Sequence, residues 1–345
     1  MKSEAVVLRT HGGPEVLVRE TVDLAEPGPR EALVRVRAVA LNHLDIWVRR
    51  GLPNLKLIYP HVLGSDVAGE IEALGPGARG VAIGDRVVVS PGISCGVCEA
   101  CLSGRDNLCA RYAILGEHVR GGYGRHVVVP DTNLLPYPGD VAFSRAAAIP
   151  LAFLTAWQMV AMKARVQPGQ TVLVQSAGSG VSTAAIQIAK LFGARVITTI
   201  GSAAKADRAR LLGADEVIDR SAQDFVAEVK RLTGGRGVDV VIEHVGGDVM
   251  TSSVVATARG GRIVTCGASS GFTPKIDLRH VFFRQIEILG STMGPKAALF
   301  TILEHVKSGK LRPVVDRVLP LWDAAEAHRA LEARATFGKV VLEVD

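Results

Sequence analysis

Apolar residues in the first 150 positions recur in short, alternating runs that predict a β-rich region. Residues 34–40 read VRVRAVA, so apolar side chains alternate with Arg35 and Arg37. This period of two predicts a strand with one solvated face. Three further short strands are predicted close to glycine or proline, at 67–73, 86–89 and 126–129. A helix is predicted from about Leu44 to Gly51, where the glycine ends it.

From about residue 152 the pattern changes to apolar runs separated by segments with a helical period. Residues 171–175 form a short apolar run, typical of a strand buried on both faces. In 181–192 the apolar residues fall on one helical face. The other predicted elements are strands at 195–199, 216–218, 238–242, 262–266 and 287–290 and helices at 205–212, 225–233 and 249–258. Strands separated by helices predict a doubly wound parallel sheet, an α/β architecture.

This change of pattern predicts two domains in a chain of 345 residues, because that length allows each to bury its own core. The tail after Ser291 returns to mixed helix and strand, and we expect it to pack on the first domain. Residues 1–151 and 291–345 are therefore predicted to form one β-rich domain. Residues 152–290 are predicted to be inserted into it as the α/β domain.

Four of the five cysteines fall within one short segment, at Cys95, Cys98, Cys101 and Cys109. The spacing C-x2-C-x2-C-x7-C allows four thiolates to close a tetrahedral shell around one Zn2+, with no position left for a substrate. Chance clustering or two disulfides are the alternatives, and disulfides are rare where thiols stay reduced. A zinc ribbon for nucleic acid would need two more widely separated C-x2-C pairs. We therefore predict a structural zinc lobe over 91–112.

The formal net charge of +6 comes from Lys and Arg scattered along the whole chain. Without a basic block we expect no nucleic-acid partner, although a modestly basic surface suits an anionic cofactor. The N-terminal stretch carries charges at Lys2, Glu4 and Arg9 and lacks the apolar core of a signal peptide. No run approaches the roughly 18 uncharged apolar residues of a membrane span. We expect a cytoplasmic protein, no membrane partner and a small-molecule substrate.

A turn of small residues, SAGSGVS over 176–182, connects the first strand of the predicted sheet to its first helix. In dinucleotide-binding folds the pyrophosphate lies at this helix N-terminus, where small side chains allow the backbone to approach it. The strict G-x-G-x-x-G spacing is not met, and a purely structural turn is the alternative. The cofactor contacts predicted from this turn are Ala177, Gly178, Ser179, Gly180 and Val181.

The end of the second strand bears on the choice of nucleotide. NAD sites usually carry an Asp or Glu here that binds the ribose 2′-hydroxyl, whereas this chain reads TTIGS over 198–202. Without that carboxylate nothing repels a 2′-phosphate, so we predict NADP(H). The predicted phosphate-side contacts are Gly201, Ser202, Lys205 and Arg220. The alternative for Lys205 and Arg220 is that both are solvated surface charges.

Several motifs occur in the order found in a known superfamily. They are ALNHLD at 40–45, LGSDVAG at 63–69, GDRV at 84–87, GGY at 121–123 and GKVV at 338–341. Together with a zinc lobe after a β domain and a nucleotide domain behind it, they resemble the medium-chain dehydrogenase/reductase superfamily over nearly the whole chain. The resemblance implies a GroES-like first domain, an inserted Rossmann domain and an active site in the cleft between them. It also implies a homodimer or homotetramer joined through the sheet edge near 286–289.

Alcohol dehydrogenases of this superfamily hold a catalytic zinc with Cys, His and Cys, and the resemblance places those slots at Asn42, Ser65 and Leu151. All three are poor or impossible zinc ligands, and Cys266 is the only cysteine outside the zinc lobe. The variants are similar to the quinone oxidoreductase branch, which works without catalytic metal but usually lacks the zinc lobe. The residues that offer an alternative, replacement metal site are His43, His61 and Asp66.

Without a metal to polarise a ketone, hydride transfer suits acceptors that are already electrophilic, such as quinones and enones. The resemblance places Asn42 and Asp45 at the nicotinamide end of the cleft, with Asn42 donating to the substrate oxygen. His43 is a candidate proton relay because the pKa of histidine lies in the working range, and a packed or surface histidine is the alternative. The other predicted cofactor contacts are Thr155, Val245, Gly267 and Lys339.

The predicted function is therefore NADPH-dependent reduction of a quinone or an α,β-unsaturated carbonyl compound without catalytic metal. Two alternatives stay open. One is a zinc-dependent alcohol dehydrogenase with an atypical catalytic metal site. The other is a nucleotide-binding protein without turnover.

Overall fold

The chain, described over residues 1–345 by a computed structural model, divides into two units. Unit 1 comprises Met1–Leu154 and Pro295–Asp345, and unit 2 comprises Thr155–Gly294. The predicted boundaries, after 151 and after 290, lie a few residues before these. None of the helices combines the length and hydrophobicity that a membrane crossing requires.

Eighteen strands lie along the chain. They are β1 (Lys2–Leu8), β2 (Val18–Asp23), β3 (Glu31–Ala40), β4 (His61–Val62), β5 (Asp66–Leu74), β6 (Arg86–Val89), β7 (Gly92–Ile93), β8 (Ala113–Ile114), β9 (His126–Pro130), β10 (Leu134–Pro136), β11 (Thr171–Val174), β12 (Arg195–Ile200), β13 (Glu216–Asp219), β14 (Val238–Glu243), β15 (Thr257–Thr265), β16 (Glu287–Gly290), β17 (Val315–Pro320) and β18 (Lys339–Glu343).

Eleven α-helices accompany them, together with short 3-10 turns and a π-helical segment over Gln158–Lys163. The α-helices are α1 (His43–Arg50), α2 (Glu99–Leu102), α3 (Phe143–Ala147), α4 (Pro150–Trp157), α5 (Gly180–Leu191), α6 (Ala206–Leu211), α7 (Phe225–Leu232), α8 (Gly247–Ala256), α9 (Leu278–Arg284), α10 (Ala297–Lys307) and α11 (Ala324–Glu332).

The main sheet of unit 1 has seven strands, in the order β10-β6-β5-β3-β18-β17, with β9 also paired to β3. Strand β18 comes from the C-terminal tail and pairs antiparallel with β3, so the tail belongs to unit 1 as predicted. Strands β1, β2 and β4 form a second sheet, and β7 pairs with β8. The core of this unit includes Val34, Leu63, Val67, Tyr123 and Val340.

Unit 2 contains one six-stranded sheet in the order β13-β12-β11-β14-β15-β16, with every pair parallel. The chain leaves β11 in one direction and returns to its other side with β14, which is the strand order of a Rossmann fold. All four residues of β11 are buried, because helices cover both faces of a parallel sheet. The predicted doubly wound α/β architecture is therefore confirmed.

Most predicted elements end within a residue or two of the observed ones, but two predictions need correction. The strand predicted at 262–266 begins at Thr257, directly after α8. Its pairing with β14 shifts register between Val238 and Val240, so the glycines at 260 and 261 lie in an irregularity within the strand and do not end it.

The second correction concerns the predicted solvated face of the strand over 34–40. Arg35 is exposed and Arg37 is half-buried, but Val39, which continues the same alternation in the sequence, is buried. The pairing of β3 with β5 shifts register between Val36 and Ala38, so the alternation changes sides there and Val39 lies in the core, close to Gly64 and Gly122. Only the middle of the strand therefore faces water.

Helix α1 is tied to α11 by a buried arginine. Arg49 is fully buried, and its Nε donates to the carbonyl oxygen of Gly12 at 3.2 Å. Its Nη1 donates to Nδ1 of His328 at 2.9 Å, and its Nη2 donates to Glu332. His328 Nδ1 therefore accepts, which leaves Nε2–H to donate to the Tyr123 hydroxyl at 3.1 Å. Burial and the charge of Arg49 lower the pKa of His328 to about 3, so this imidazole is neutral.

We expect Arg49→Leu to lower the free energy of unfolding by about 3 kcal/mol, because the Gly12 carbonyl oxygen and His328 Nδ1 lose this donor and Glu332 loses its buried partner. Arg50→Leu is the matched control. Arg50 also pairs with Glu332, but its side chain is 60% exposed, so the loss should be below about 1 kcal/mol. Chemical denaturation of both variants measures the difference. Equal losses of unfolding free energy in the two variants would show that the burial of Arg49 adds nothing to its contribution to stability.

Candidate functional site

The start of α1 fixes the first candidate residues. Asn42 precedes the helix in an extended conformation, and its backbone N–H donates to Asp45 Oδ2 at 2.7 Å. An acidic residue in the first turn is also favoured by the helix dipole. The other oxygen of Asp45, Oδ1, accepts from the Gly64 N–H at 3.0 Å. Asp45 therefore joins the start of α1 to the loop that leads into β5.

Both oxygens of Asp45 are thus bonded to backbone N–H groups, and the side chain is 1% exposed. Burial raises the pKa of Asp45 to about 7, although the two N–H groups and the charge of Lys339 oppose the rise. This arrangement gives Asp45 a part in positioning Asn42 and Gly64. Each Asp45 oxygen accepts one backbone hydrogen bond, and a direct role of this carboxylate in catalysis stays a prediction.

Strand register brings three distant residues to one end of the main sheet of unit 1. Ala40 on β3 lies opposite Asp66 on β5 and opposite Val341 on β18. Continuing the antiparallel register by two residues sets Asn42 opposite Lys339. The first residues of β5 and β18 therefore meet the residue that follows β3.

Asp66 is the centre of this group, which we call the Asp66 cluster and define as Asn42, Asp66, Leu151 and Lys339. Asp66 Oδ2 accepts from Asn42 Nδ2 at 2.9 Å and from Lys339 Nζ at 2.9 Å. Asp66 Oδ1 accepts from the backbone N–H of Leu151 at 2.7 Å. The Lys339 ammonium also donates to Asn42 Oδ1 at 2.6 Å. The carboxylate is fully buried and Lys339 is 5% exposed, so the pair is screened from water.

The Asp66 cluster leaves two N–H groups with little to bind. One N–H of Asn42 Nδ2 donates to Asp66. The other N–H has only the Ala40 carbonyl oxygen nearby, at an N–O distance of 3.5 Å, which is beyond ordinary hydrogen-bond length. Lys339 uses two of its three N–H groups within the chain. The cluster can therefore donate hydrogen bonds to an additional acceptor, such as a substrate oxygen.

The Asp66 cluster does not fit a catalytic zinc ion. Leu151 contributes only a backbone N–H, which is a donor and not a metal ligand. Ser65 is buried and its Oγ has no hydrogen-bond partner, while the amide oxygen of Asn42 is occupied by the Lys339 ammonium. A cation therefore already occupies the acceptors that a metal would need.

The replacement metal site considered from the sequence is not assembled either. His61 is buried and its Nε2 bonds to the Gly116 carbonyl oxygen at 3.1 Å, so it contacts backbone and not Asp66. His43 is half-buried, and burial together with the positive charges of Arg334 and Lys339 lowers its pKa. This lowered pKa favours the neutral form of His43, and its role as a proton relay stays a prediction.

The four predicted zinc ligands form the one group in the chain whose His, Cys, Asp or Glu ligand atoms could enclose a metal ion. Their ligand atoms all lie within 4.8 Å of one another, with Sγ distances of 3.8 Å for Cys95–Cys101 and 3.5 Å for Cys98–Cys101. A tetrahedral site with Zn–S bonds of about 2.3 Å requires Sγ separations of about 3.8 Å. The backbone N–H of Val97 and the side chain of Arg111 lower the pKa of Cys95 to about 5, which favours the thiolate that binds metal.

In unit 2 the predicted phosphate turn lies at the C-terminal edge of the sheet. Ser179 caps α5, because its Oγ accepts from the Ser182 N–H at 3.0 Å. The first-turn N–H groups of Gly180 and Val181 have no partner within the helix and are available to an anion. The Ser182 hydroxyl donates to the Gln175 carbonyl oxygen at 2.7 Å, which explains why serine is tolerated where dinucleotide-binding turns often have glycine.

Neighbouring strand ends support this turn. Thr199 at the end of β12 accepts from Ala177 N–H through its carbonyl and from Ser176 N–H through its hydroxyl, at 2.8 and 2.9 Å. Arg220, just after β13, donates to the Ser176 hydroxyl at 3.1 Å. His244, just after β14, lies 3.1 Å from the Ser179 hydroxyl through its Nε2.

The predicted phosphate-side residues gather at the same edge. The Arg220 N–H donates to the Ile200 carbonyl oxygen at 3.0 Å, which sets Arg220 beside Gly201. Ser202 is exposed, and Lys205 lies one turn further, with its N–H bonded to the Ser202 carbonyl oxygen at 3.0 Å. Gly201 has open space where a side chain would stand, with no atom within 4 Å. The edge therefore offers room and positive charge together.

The remaining predicted cofactor residues fall in two places. Val245 and Gly267 each follow the end of a strand by two residues, and the ends, Glu243 and Thr265, are directly paired. Both residues therefore belong to the same sheet edge. Thr155 is 5% exposed in α4, also in unit 2. Lys339 alone lies in unit 1, where its ammonium is bonded within the Asp66 cluster.

Comparison with known proteins bears on this architecture. Residues 28–139 match the alcohol dehydrogenase GroES-like domain, and residues 180–308 match the zinc-binding dehydrogenase family. The NAD-dependent alcohol dehydrogenase of Sulfolobus acidocaldarius is 31% identical over 348 residues, covering 99% of each chain. The chain belongs to the medium-chain dehydrogenase/reductase superfamily. This medium-chain dehydrogenase/reductase is therefore an NAD(P)-dependent oxidoreductase.

Two further matches show how wide the activities of similar proteins are. The quinone oxidoreductase of Pseudomonas aeruginosa is 32% identical to this medium-chain dehydrogenase/reductase over 355 residues, covering 99% of each chain. A solved structure described as an NAD-dependent alcohol dehydrogenase is 58% identical, with a TM-score of 0.96, and covers 99% of this chain and 100% of that one. Proteins named quinone oxidoreductase and proteins named alcohol dehydrogenase are thus both among the relatives of this enzyme.

Sequence reasoning missed the part of Asp66 and Lys339 in this medium-chain dehydrogenase/reductase. Asp66 was considered only as a metal ligand and Lys339 only as a cofactor contact. The available signal was a pair of opposite charges, each at the start of an apolar strand, in SDVAG and GKVV. Buried charges of opposite sign favour pairing, but nothing in the sequence gives their register.

Proposed function

We propose that this oxidoreductase transfers hydride from NADPH to quinones or α,β-unsaturated carbonyl compounds without a catalytic metal. The observation that carries the proposal is the Lys339 ammonium, 2.6 Å from Asn42 Oδ1 and 2.9 Å from Asp66 Oδ2. It occupies the acceptors that a catalytic zinc would need. A simple alcohol or ketone then has no metal ion to ionise or polarise it, which favours acceptors that are already electrophilic.

Asn42 is the proposed donor to the substrate oxygen. The bound nucleotide supplies the hydride, and the reaction leaves negative charge on the carbonyl or quinone oxygen. The weakly engaged N–H of Asn42 can donate to that oxygen, while Asp66 and Lys339 hold the amide in place. Conjugated acceptors spread the charge, so hydrogen bonds suffice to stabilise it.

NADPH is the proposed nucleotide because no carboxylate ends β12 and because Lys205 and Arg220 lie at the sheet edge beside Ser202. A carboxylate at that position would select the 2′-hydroxyl of NAD. Charge and hydrogen bonds from Ser202, Lys205 and Arg220 would instead favour a 2′-phosphate.

One structural zinc ion is proposed for the four-cysteine group. The spacing of its sulfur atoms fits tetrahedral coordination, and the four ligands leave no open position for a substrate. A reducing compartment, which we propose is the cytoplasm, keeps the thiols available for the metal.

A homodimer or homotetramer is proposed through the open edge of the unit 2 sheet. Strand β16 pairs only with β15 and leaves its other side without a partner strand. The apolar side chains of Phe282 and Phe283 on α9 are more than half exposed, at 58% and 65%, and Ile288 on β16 is 39% exposed. An open edge with exposed apolar groups favours association with a second copy.

Alcohol oxidation with NAD is the second candidate function. The 58% identity to a structure described as an NAD-dependent alcohol dehydrogenase favours it. This function would require a metal at a site other than the Asp66 cluster, or an ammonium displaced from it.

We expect the purified enzyme to reduce 1,4-naphthoquinone with NADPH and to oxidise ethanol poorly. Mild chelation that spares cysteine-bound zinc should leave quinone reduction unchanged, because no Lewis acid takes part. Asn42→Ala should lower kcat roughly tenfold to a thousandfold and leave NADPH affinity nearly intact. Steady-state assays of both reactions, before and after chelation, test this. Strong ethanol oxidation that chelation abolishes would establish the alcohol dehydrogenase alternative.

NADPH should bind more tightly than NADH, and Lys205→Ala should weaken NADPH while NADH changes little. The removed charge would face the 2′-phosphate, which NADH lacks. Fluorescence titration with both nucleotides measures the effect. Lys230→Ala, an exposed lysine on α7, is the control that should alter neither affinity. Equal weakening of both nucleotides by Lys205→Ala would contradict the assignment.

Zinc analysis should give close to one ion per chain. Cys98→Ser should release most of it and lower Tm, because metal binding stabilises the folded lobe. Cys266→Ser is the control. This fifth cysteine lies outside the four-cysteine group, so the variant protein should keep its zinc ion. Wild-type protein without zinc, or with two ions, would overturn the proposal of a single structural site.

A further inference from the structure

The amide of Asn42 is held by two opposite charges. Its oxygen accepts from the Lys339 ammonium at 2.6 Å, and one of its N–H groups donates to the Asp66 carboxylate at 2.9 Å. Rotation of the amide by half a turn would set N–H against ammonium and oxygen against carboxylate. The charges therefore determine which way the second N–H points.

Lys339 also changes how well that N–H donates. A hydrogen bond to the oxygen of an amide draws electron density from its nitrogen and strengthens the N–H as a donor. Here the group that donates to the amide oxygen is the Lys339 ammonium, which carries a full positive charge. The site is nearly free of water, because Asn42, Asp66 and Lys339 are at most 8% exposed. Electrostatic effects are larger in such a site than in water.

We infer that Lys339 is the fixed cation of the oxyanion site and acts through Asn42, at the place where the resemblance to zinc-dependent alcohol dehydrogenases would put a catalytic metal. As a positioning residue it orients the amide, polarises it and offsets the negative charge that forms on the substrate oxygen. The inference rests on the proposed function and assigns to a lysine what a Lewis acid does elsewhere. It differs from the sequence-based prediction, in which Lys339 contacts the cofactor.

Two other roles for Lys339 predict different experimental results. If Lys339 only neutralised the buried charge of Asp66, removing both charges together would restore function. If Lys339 only bound the nucleotide, its loss would weaken NADPH and leave kcat unchanged. The fixed-cation assignment requires the reverse, a lower kcat with unchanged NADPH affinity.

The test compares wild type with Lys339→Met/Asp66→Asn and Lys339→Ala. The double variant removes both charges at nearly constant volume, and the new amide can still accept from Leu151 N–H, so we expect it to fold. Its kcat for 1,4-naphthoquinone should fall about a hundredfold, with the Kd of NADPH within about twofold of wild type. Lys296→Met is the matched control, a lysine of the same unit that donates to Asn133 Oδ1 at 2.7 Å and contacts neither Asn42 nor Asp66. It should keep the wild-type kcat.

Lys339→Ala permits rescue by an added cation. Ethylammonium chloride should raise kcat of this variant at least tenfold, whereas sodium chloride at equal ionic strength should not. Ethylammonium should also raise the Tm of Lys339→Ala above that of the sodium chloride sample, because it binds the folded site. Wild type should show neither response. The Tm shift is measured on the protein alone and does not depend on turnover.

The outcomes separate this inference from the proposed function. Wild type that reduces naphthoquinone after chelation upholds the proposed function, whatever the variants do. A double variant with near wild-type kcat, or a Lys339→Ala variant that loses only NADPH affinity, would then overturn the fixed cation alone. Wild type that fails on quinones and enones overturns both. A lower kcat in the double variant, with rescue of Lys339→Ala by ethylammonium, supports the assignment.

Discussion

The burial of Asp66 is the constraint on which the candidate site of unit 1 depends. A carboxylate that is fully removed from water is costly unless its oxygens are bonded and its charge is offset. Asp66 meets this requirement with three donors from three separate parts of the chain: Asn42 before α1, Leu151 at the start of α4 and Lys339 at the start of β18. The hydrogen bonds to the buried carboxylate hold each of these donors in place. The cluster therefore fixes the geometry of Asn42 without a metal.

Asp45 is a second buried acid near Asp66, and its structural role is different. Asp45 binds only backbone N–H groups, of Asn42 and Gly64, and has no cation in direct contact. Burial consequently raises its pKa to about 7. Asp45 fixes the backbone of the loop, whereas Asp66 fixes side chains, so the two acids together determine both the position and the orientation of the Asn42 amide.

The nucleotide unit solves a comparable problem with neutral groups. Its turn has serine at two positions of the glycine pattern, and each serine hydroxyl is bonded: Ser179 caps α5, and Ser182 donates to the carbonyl of Gln175. Side chains from the ends of β12, β13 and β14 hold the turn from outside. The small side chains still leave the first helical N–H groups open to an anion. Hydroxyl bonding thus takes over what glycine provides in the stricter motif.

Local chemistry was sufficient for part of this structure. The alternation of apolar residues, the apolar runs of the parallel sheet and the spacing of Cys95, Cys98, Cys101 and Cys109 involve neighbours within a few residues to a few turns. For that reason the sequence alone predicted the α/β architecture and the four-cysteine group, and motif order predicted the superfamily.

The Asp66 cluster was beyond such reasoning, because Lys339 follows Asp66 by 273 residues and the two meet only through the pairing of β3 with β5 and β18. The same limit applies to Val39, which alternation marks as solvated and which lies in the core because β3 shifts register against β5. Residue types and the period of apolar residues determined which helices and strands form and which side chains are able to bind a metal or a phosphate. Strand register and burial, which exist only in the folded chain, decided that the Lys339 ammonium binds the side-chain oxygens of Asn42 and Asp66.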